Sequence, residues 1–255
     1  MRSFRERAGL TLEGLSGVVL VSKSHLSRIE TAEYMPPREL PAQLDAAFGT
    51  DGIFEELYGL ARKEIHPDKY RRRMELEARA RVIDEYAGHI VTGLLQTEEY
   101  ARALFRVSNP RATPDEIEEK VTARLSRQAL LTATPAPDLS VILDESALRR
   151  AVGGPVVMRD QLVRLIDLVD TPTTTLQMLP FAHGEHALLG GTLTLMTLDD
   201  KSSVAYEESS TTGTLLEDPE RVGARRRAYD LMRAYALSPR DTGAFIRSVM
   251  EALPR

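Results

Sequence analysis

A stretch near the start of the chain combines short polar side chains with two cations at helical spacing. If Val21–Glu30 forms a helix, the apolar Leu26 and Ile29 fall on one side of it. The opposite side carries Lys23, Ser24, Ser27 and Arg28, with His25 at its edge. Lysine and arginine bind phosphates and guanine edges, and serine hydrogen-bonds to either kind of group. The stretch therefore predicts a helix that packs on one side and contacts the DNA major groove on the other.

Three further clusters have residue types that could do chemistry. His183 and His186 could share a metal ion, but the glycine between them and a nearby proline favour a polar loop without a metal. Glu207 and Glu208 could act as an acid–base pair, although we favour an exposed strand end. The Gly-Gly-Pro run at 153–155 lacks the Lys-Ser/Thr of a phosphate-binding loop and predicts a junction between two helices. We therefore expect no catalytic residue, no cofactor and no metal, and a protein that is not an enzyme.

The residues around the polar helix predict the elements that position it. Ser22 is a good N-cap, because its hydroxyl can accept a hydrogen bond from a free amide one turn later. Upstream, a helix is expected to begin at Thr11, with Leu12, Leu15 and Val19 at helical spacing. Downstream, two prolines interrupt the chain, and a further helix is predicted over Arg38–Phe48 and closed by glycine. The polar helix thus belongs to a small helical bundle.

These residues resemble the helix-turn-helix of the Cro/phage-repressor (XRE) family across residues 1–65. The matching pattern is Arg7-Ala8-Gly9-Leu10-Thr11, then Leu15, then Val21-Ser22 through Leu26-Ser27-Arg28-Ile29-Glu30. The resemblance implies that Ser22, Lys23, Ser24, Ser27 and Arg28 face DNA. The chain departs from the family at Leu20, where the family usually has glycine at the turn. A leucine there predicts either a less usual turn or a left-handed backbone conformation that costs energy.

Composition and charge narrow the class of protein. The chain has 255 residues, 42% of them hydrophobic, and no cysteine, so neither disulfides nor thiolate metal sites are expected. It contains no apolar run of membrane-spanning length and no signal segment, so a soluble cytoplasmic protein is expected. The net charge is -5, yet residues 1–30 carry five basic and three acidic side chains. This modest excess predicts weak binding of double-stranded DNA by one chain, and hence a homodimer.

A connector is predicted between two domains, at residues 66–81. It follows an amphipathic helix expected over Ile53–Ile65, and it contains the basic cluster Lys69–Arg73. One interpretation is a segment that contacts the DNA backbone or a partner. We favour the other, a solvated helix face with alternating arginine and glutamate. The domains are then 1–65 for DNA binding and 82–255 for regulation or partner binding.

In residues 82–255 the pattern of apolar residues predicts a mixture of strands and helices. Strands are predicted at Leu139–Leu143, Thr174–Leu179, Thr192–Leu198 and Val204–Glu208, the last two joined as a hairpin over Asp199–Ser202. Helices are predicted to begin at Thr97 and Thr113 and to span Pro155–Val169, Pro219–Leu237 and Pro239–Leu253. The fold class is therefore α+β, with a helical N-terminal domain followed by a larger domain with a small antiparallel sheet.

A second resemblance covers residues 75–250. Its main motif is Gly93-Leu94-Leu95-Gln96-Thr97-Glu98-Glu99-Tyr100-Ala101-Arg102, with further matches at 143–149, 153–155, Gln161-Leu162 and Leu179-Pro180. These residues are similar to an uncharacterised domain that follows XRE modules in many actinobacterial regulators. The resemblance implies a regulator, often encoded beside a small partner protein in an antitoxin-like arrangement, and it supplies no catalytic residues.

Two functional hypotheses follow from the sequence. The first is a sequence-specific, homodimeric transcriptional regulator whose C-terminal domain senses a ligand or a partner. The second is an antitoxin-like module that holds the small protein of a neighbouring gene, with DNA binding secondary. Binding to DNA in the presence and absence of that protein distinguishes them.

Overall fold

The computed structural model describes residues 1–31, 36–58, 68–209 and 212–254. They form two compact units, Met1–Tyr70 and Arg71–Arg255, each with its own hydrophobic core. The boundary between the units falls within residues 66–81, the predicted connector. The α+β class is confirmed, because a helical N-terminal unit is followed by a mixed unit with a six-stranded sheet.

The described part of the N-terminal unit consists of short helices around one core. The helices are α1 (Arg2–Arg7), α2 (Leu12–Val19), α3 (Lys23–Glu30), α4 (Leu40–Phe48) and α5 (53–58). Their inner faces supply Leu15, Val19, Leu26, Leu40, Leu44 and Phe54. The helices predicted from apolar spacing are confirmed as α2, α3 and α4. Of the helix predicted over 53–65, residues 59–65 lie outside the described residues.

Local signals explain where α2 and α3 begin and end. The Thr11 hydroxyl accepts a hydrogen bond from the Gly14 amide at 3.0 Å, and the Ser22 hydroxyl accepts one from the His25 amide at 3.4 Å. Between the two helices, Leu20 adopts φ 53° and ψ 29°, which is the left-handed conformation. The predicted N-cap at Ser22 is therefore confirmed, and of the two alternatives expected at Leu20 the structure shows the left-handed one.

A carboxylate joins α4 to α5. Asp45 on α4 is buried and accepts hydrogen bonds from the Phe54 and Glu55 amides, both at 3.0 Å, at the start of α5. It also accepts one from the Thr50 hydroxyl. Burial by itself would raise the pKa of Asp45, but the three hydrogen bonds outweigh it and hold this pKa below its ordinary value. The charged carboxylate thus caps α5 across the intervening turn.

The C-terminal unit is built on a mixed sheet with strand order β3-β2-β1-β4-β5-β6. The strands are β1 (Ala80–Ala87), β2 (Asp138–Asp144), β3 (Thr174–Leu179), β4 (Thr192–Leu198), β5 (Ser203–Glu208) and β6 (Gly213–Leu216). β1, β2 and β3 are parallel, whereas β4, β5 and β6 continue antiparallel from the other side of β1. The sheet is larger than the predicted one. It is not wholly antiparallel, since two of its five strand pairings are parallel, because helical crossovers join β1 to β2 and β2 to β3.

Helices cover both faces of this sheet. They are α6 (Asp68–Arg79), α7 (Glu98–Ser108), α8 (Pro114–Ser126), α9 (Glu145–Arg149), α10 (Pro155–Leu168), α11 (Pro219–Tyr235) and α12 (Pro239–Ala252). Tyr229 and Met232 of α11 pack in the cluster on one face. Leu162 of α10 and Ile246 of α12 pack in the larger cluster on the other. The four predicted strands, their hairpin and the closing helices are confirmed to within one or two residues.

Helix α6 runs directly into β1 and carries buried charges. The solvated helix face favoured for this segment is wrong for Arg73 and Glu77, which are both buried. Arg73 lies 3.2 Å from Glu77 and 3.3 Å from Glu85 on β1, and Glu77 accepts two hydrogen bonds from Arg127. Burial raises the pKa of Glu85, although the charge of Arg73 opposes this shift. Arg73 and Glu77 therefore pair in the interior of this unit, whereas Arg72 and Glu75 pair on the exposed side of α6.

The Gly93–Arg102 motif forms a 3-10 helix, Gly93–Leu95, followed by α7. The fully buried Gln161 of α10 holds the junction between the two. Its side-chain oxygen accepts a hydrogen bond from the Thr97 amide, and its side-chain nitrogen donates one to the Leu95 carbonyl, both at 2.8 Å. The Gly93–Arg102 motif and the Gln161-Leu162 pair thus form one structural feature, in which an amide side chain satisfies backbone groups that α7 and the 3-10 helix leave unpaired.

Candidate nucleic-acid interface

The helix-turn-helix places one buried residue of α3 against the core and most of its polar residues at the surface. Leu26 is fully buried, and α2 and α4 supply its neighbours in the core. The exposed residues are Ser22, Lys23, Ser24, His25 and Arg28, and Ser27 is half-buried. The structure therefore brings the predicted site residues together on one accessible stretch. An exposed helix face with short polar groups and cations has the chemistry to contact base edges and phosphates in the major groove.

Members of this set also make contacts within the protein. The Lys23 ammonium lies 3.7 Å from the Glu13 carboxylate of α2, and both side chains are well exposed. Exposed ion pairs of this kind are weak and are screened by salt, so Lys23 can exchange this partner for a phosphate. The Ser22 hydroxyl caps α3 and lies 3.3 Å from the Ser24 hydroxyl. Ser22 therefore has a structural role, whereas Ser24 lies on the exposed first turn.

Sequence reasoning missed a buried ion pair behind this surface. The Glu30 side chain, at the end of α3, is only 1% exposed and accepts hydrogen bonds from Arg5 at 2.8 and 2.9 Å. Arg2 lies 3.3 Å from the same carboxylate. The hydrogen bonds from Arg5 hold the pKa of Glu30 below its ordinary value, although burial opposes this shift. The available signal in the sequence was an acidic residue, Glu30, at the end of a helix that is otherwise polar and basic. Nothing near Glu30 in the sequence identified its partners Arg5 and Arg2, which lie 25 and 28 residues away.

This ion pair changes how charge is distributed in the N-terminal unit. Arg2 and Arg5 contribute to the positive excess of residues 1–30, yet both pair with Glu30. Residues 1–70 as a whole contain nine basic and eleven acidic side chains, a net charge of -2. Attraction to DNA therefore depends on the local placement of cations on α3, because the unit as a whole has no positive excess.

The two histidines after β3 take part in aromatic and hydrogen-bond contacts. His186 Nε2 lies 3.2 Å from the Tyr86 hydroxyl, and His186 Nδ1 accepts a hydrogen bond from the Leu188 amide at 3.2 Å. The His183 ring stacks on Tyr235, with ring centroids 4.4 Å apart. Across the described ranges, no group of three or more histidine, cysteine, aspartate or glutamate side chains could hold a metal ion.

The other clusters with candidate chemistry are also built into the fold. Glu207 on β5 pairs with Arg225 of α11 at 2.5 Å, so its carboxylate joins a helix to the sheet. Gly153 and Gly154 adopt φ 72° and 91° between α9 and α10, which confirms the predicted junction between two helices. Within the described residues, no helix is long and apolar enough to cross a membrane.

Comparison with known proteins divides the chain in the same way as the structure does. Residues 1–57 match a helix-turn-helix domain. Residues 70–248 match a family described as a domain of unknown function, DUF5753. No curated protein and no solved structure matches the chain. Since the second match covers well over half of its length, the chain belongs to the DUF5753 family, and it carries a helix-turn-helix domain at its N-terminus.

Proposed function

We propose that this protein is a sequence-specific DNA-binding transcriptional regulator of the XRE type. The observation that carries the proposal is the exposed polar and basic stretch of α3, presented by a matched helix-turn-helix domain. In this proposal α3 enters the major groove, Lys23 and Arg28 contact bases or phosphates, and Ser24 and Ser27 contact groups beside them. His25 lies at the rim of the contact.

The C-terminal unit regulates this binding, in our proposal, by sensing a ligand or a partner protein, and two chains act together as a homodimer. The net charge of the N-terminal unit supports dimerisation, because one weakly attractive surface gains affinity when a second is added. We also propose that the protein is not an enzyme. Two observations support a protein without catalytic activity. Glu207 pairs with Arg225 within the fold, and His186 lies within hydrogen-bonding distance of the Tyr86 hydroxyl.

Selection of DNA by the intact chain tests the proposal. The full chain is incubated with random double-stranded DNA, bound duplexes are recovered and sequenced, and affinity is measured over a range of salt concentrations. We expect enrichment of a defined sequence and an affinity that falls as salt rises. Lys23→Ala and Arg28→Ala should weaken binding. The matched control Lys201→Ala removes an exposed lysine from the β4–β5 turn and should not. Failure to enrich any sequence contradicts the proposal.

A second candidate function is an antitoxin-like module that holds a small partner protein. The supporting observation is a set of large apolar side chains exposed on the C-terminal unit, namely Phe181, Leu189, Leu231 and Tyr235, each more than half exposed. Co-expression with the small protein of the neighbouring gene, followed by purification of the full chain, tests this candidate. A stable complex with unchanged DNA binding favours it, whereas DNA binding that changes with the partner favours the regulator.

A further inference from the structure

Leu20 combines two unfavourable features at the turn between α2 and α3. Its backbone adopts φ 53°, a region in which a β-carbon is strained and which glycine or asparagine occupies more easily. Its side chain is 87% exposed and lies outside the core of the N-terminal unit. Burial of apolar surface therefore does not compensate for the strain, and nothing in the packing of this unit requires a leucine.

The position of Leu20 indicates where its side chain could be used. Leu20 directly precedes Val21 and the N-cap Ser22, so it lies at the end of α3 that carries Lys23 and Ser24. In helix-turn-helix proteins the N-terminal residues of the second helix contact the base edges. Val18, two residues earlier near the end of α2, is a second apolar side chain that is more than half exposed.

We propose that Leu20 is a specificity-determining residue that contacts the C5-methyl group of a thymine. This inference rests on the DNA-binding function proposed above and names one feature of the DNA that it recognises. The serines and Lys23 can hydrogen-bond to base edges, but recognition of a methyl group requires an apolar side chain. Strained residues that persist without a packing role are concentrated at functional sites, because function maintains them.

The test uses the full chain and a duplex recovered by selection with the wild-type protein. Three variants separate strain from contact: Leu20→Gly and Leu20→Asn relieve the backbone and remove the apolar group, whereas Leu20→Met keeps an apolar side chain. We expect Leu20→Gly and Leu20→Asn to lose about tenfold in affinity and Leu20→Met to retain most of it. Amide hydrogen exchange in α2 and α3 should slow in Leu20→Gly, which shows that the loss does not arise from unfolding.

Replacing thymines of that duplex one at a time with uracil, which lacks the methyl group, identifies the contact. At one position uracil should weaken wild-type binding by a factor similar to that of Leu20→Gly, and it should leave Leu20→Gly binding unchanged. Equal affinities of wild type and Leu20→Gly, or additive effects at every thymine, overturn the inference while DNA binding itself stands. If the wild type recovers no duplex at all, the proposed function fails first.

Discussion

At the scale of single residues, the two cations of α3 have different surroundings. Lys23 lies beside Glu13 at the start of the helix, so part of its charge is already compensated. Arg28 lies further along the exposed stretch, in the last turn of α3. A guanidinium has the fixed fork that binds the two acceptors of guanine, whereas an ammonium acts as a point charge.

The first prediction concerns Arg28. Arg28→Ala should cost about 1–3 kcal/mol of binding free energy if the guanidinium contacts a guanine, and the loss should be confined to one base position. Competition binding with single-base variants of the selected duplex measures this. Glu13→Gln serves as a comparison variant, because it removes the carboxylate that pairs with Lys23. The DNA affinity of this variant should rise for all sequences alike. A uniform loss in Arg28→Ala contradicts base contact and indicates a phosphate contact instead.

The second prediction concerns Glu30, whose pKa is lowered in the folded state, first by the Arg5 hydrogen bonds. Glu30→Gln should lower the unfolding free energy of the N-terminal unit by about 1–3 kcal/mol near neutral pH. Because the unfolded state binds the proton more readily, this stabilisation is present above about pH 4.3 and is lost as pH falls through the folded pKa.

Chemical denaturation monitored by hydrogen exchange, at neutral and acid pH, measures the effect of Glu30. The matched control is Glu6→Gln, because Glu6 is exposed and lies 3.6 Å from the same Arg5. It should have little effect at either pH. A Glu30→Gln deficit that persists unchanged in acid would show that the ion pair is not its cause.

At the scale of elements, sequence patterns identified most of the described helices, though not α9, and four of the six strands. Each of those elements has an apolar periodicity or an N-cap within its own residues, as Thr113 and Glu116 show in the capping box of α8. β1 was missed because two consecutive acids, Asp84 and Glu85, interrupt a strand that is buried on both faces. Their arginine partners lie on α11 and α6, so their burial could not be inferred from the strand itself.

The third prediction concerns the junction between the 3-10 helix and α7. Gln161→Leu keeps the approximate size of the side chain but leaves the Thr97 amide and the Leu95 carbonyl unpaired. Each buried group without a partner should cost about 1–3 kcal/mol of unfolding free energy. Thermal or urea unfolding of the full chain measures this, with Gln43→Leu on the exposed face of α4 as the control. Equal stability of the two variants would mean that Gln161 does not hold this junction.

At the scale of the whole molecule, the charges of the two units argue against strong DNA binding by a single chain. The full chain carries -5, and residues 1–70 account for -2 of it. Long-range attraction to a polyanion is therefore weak, and affinity must come from close contacts. In the homodimer proposed above, two copies of α3 in successive turns of the groove would provide twice as many such contacts.

The fourth prediction follows from the negative net charge of the chain and its need for a second DNA-binding surface. The selected DNA should contain two half-sites whose centres are about 34 Å apart, one turn of the double helix. Footprinting and sedimentation of the complex measure the spacing and the number of chains bound. Inserting half a turn between the half-sites should abolish most of the affinity, whereas inserting a full turn should be tolerated better. One chain per duplex, with no effect of spacing, contradicts the homodimer.

Short-range information in the sequence determined the helix-turn-helix, its N-caps and the hairpin between β4 and β5. These features depend on backbone preferences and apolar spacing within a few residues, so they are encoded where they occur. Only the tertiary structure decided that Glu30 binds Arg5, that Glu85 is buried beside Arg73, and that β1 is parallel to β2. Those outcomes depend on which residues, distant in the sequence, come into contact when the chain folds. Burial strengthens the pairing of two charges only after folding has brought the charged side chains together.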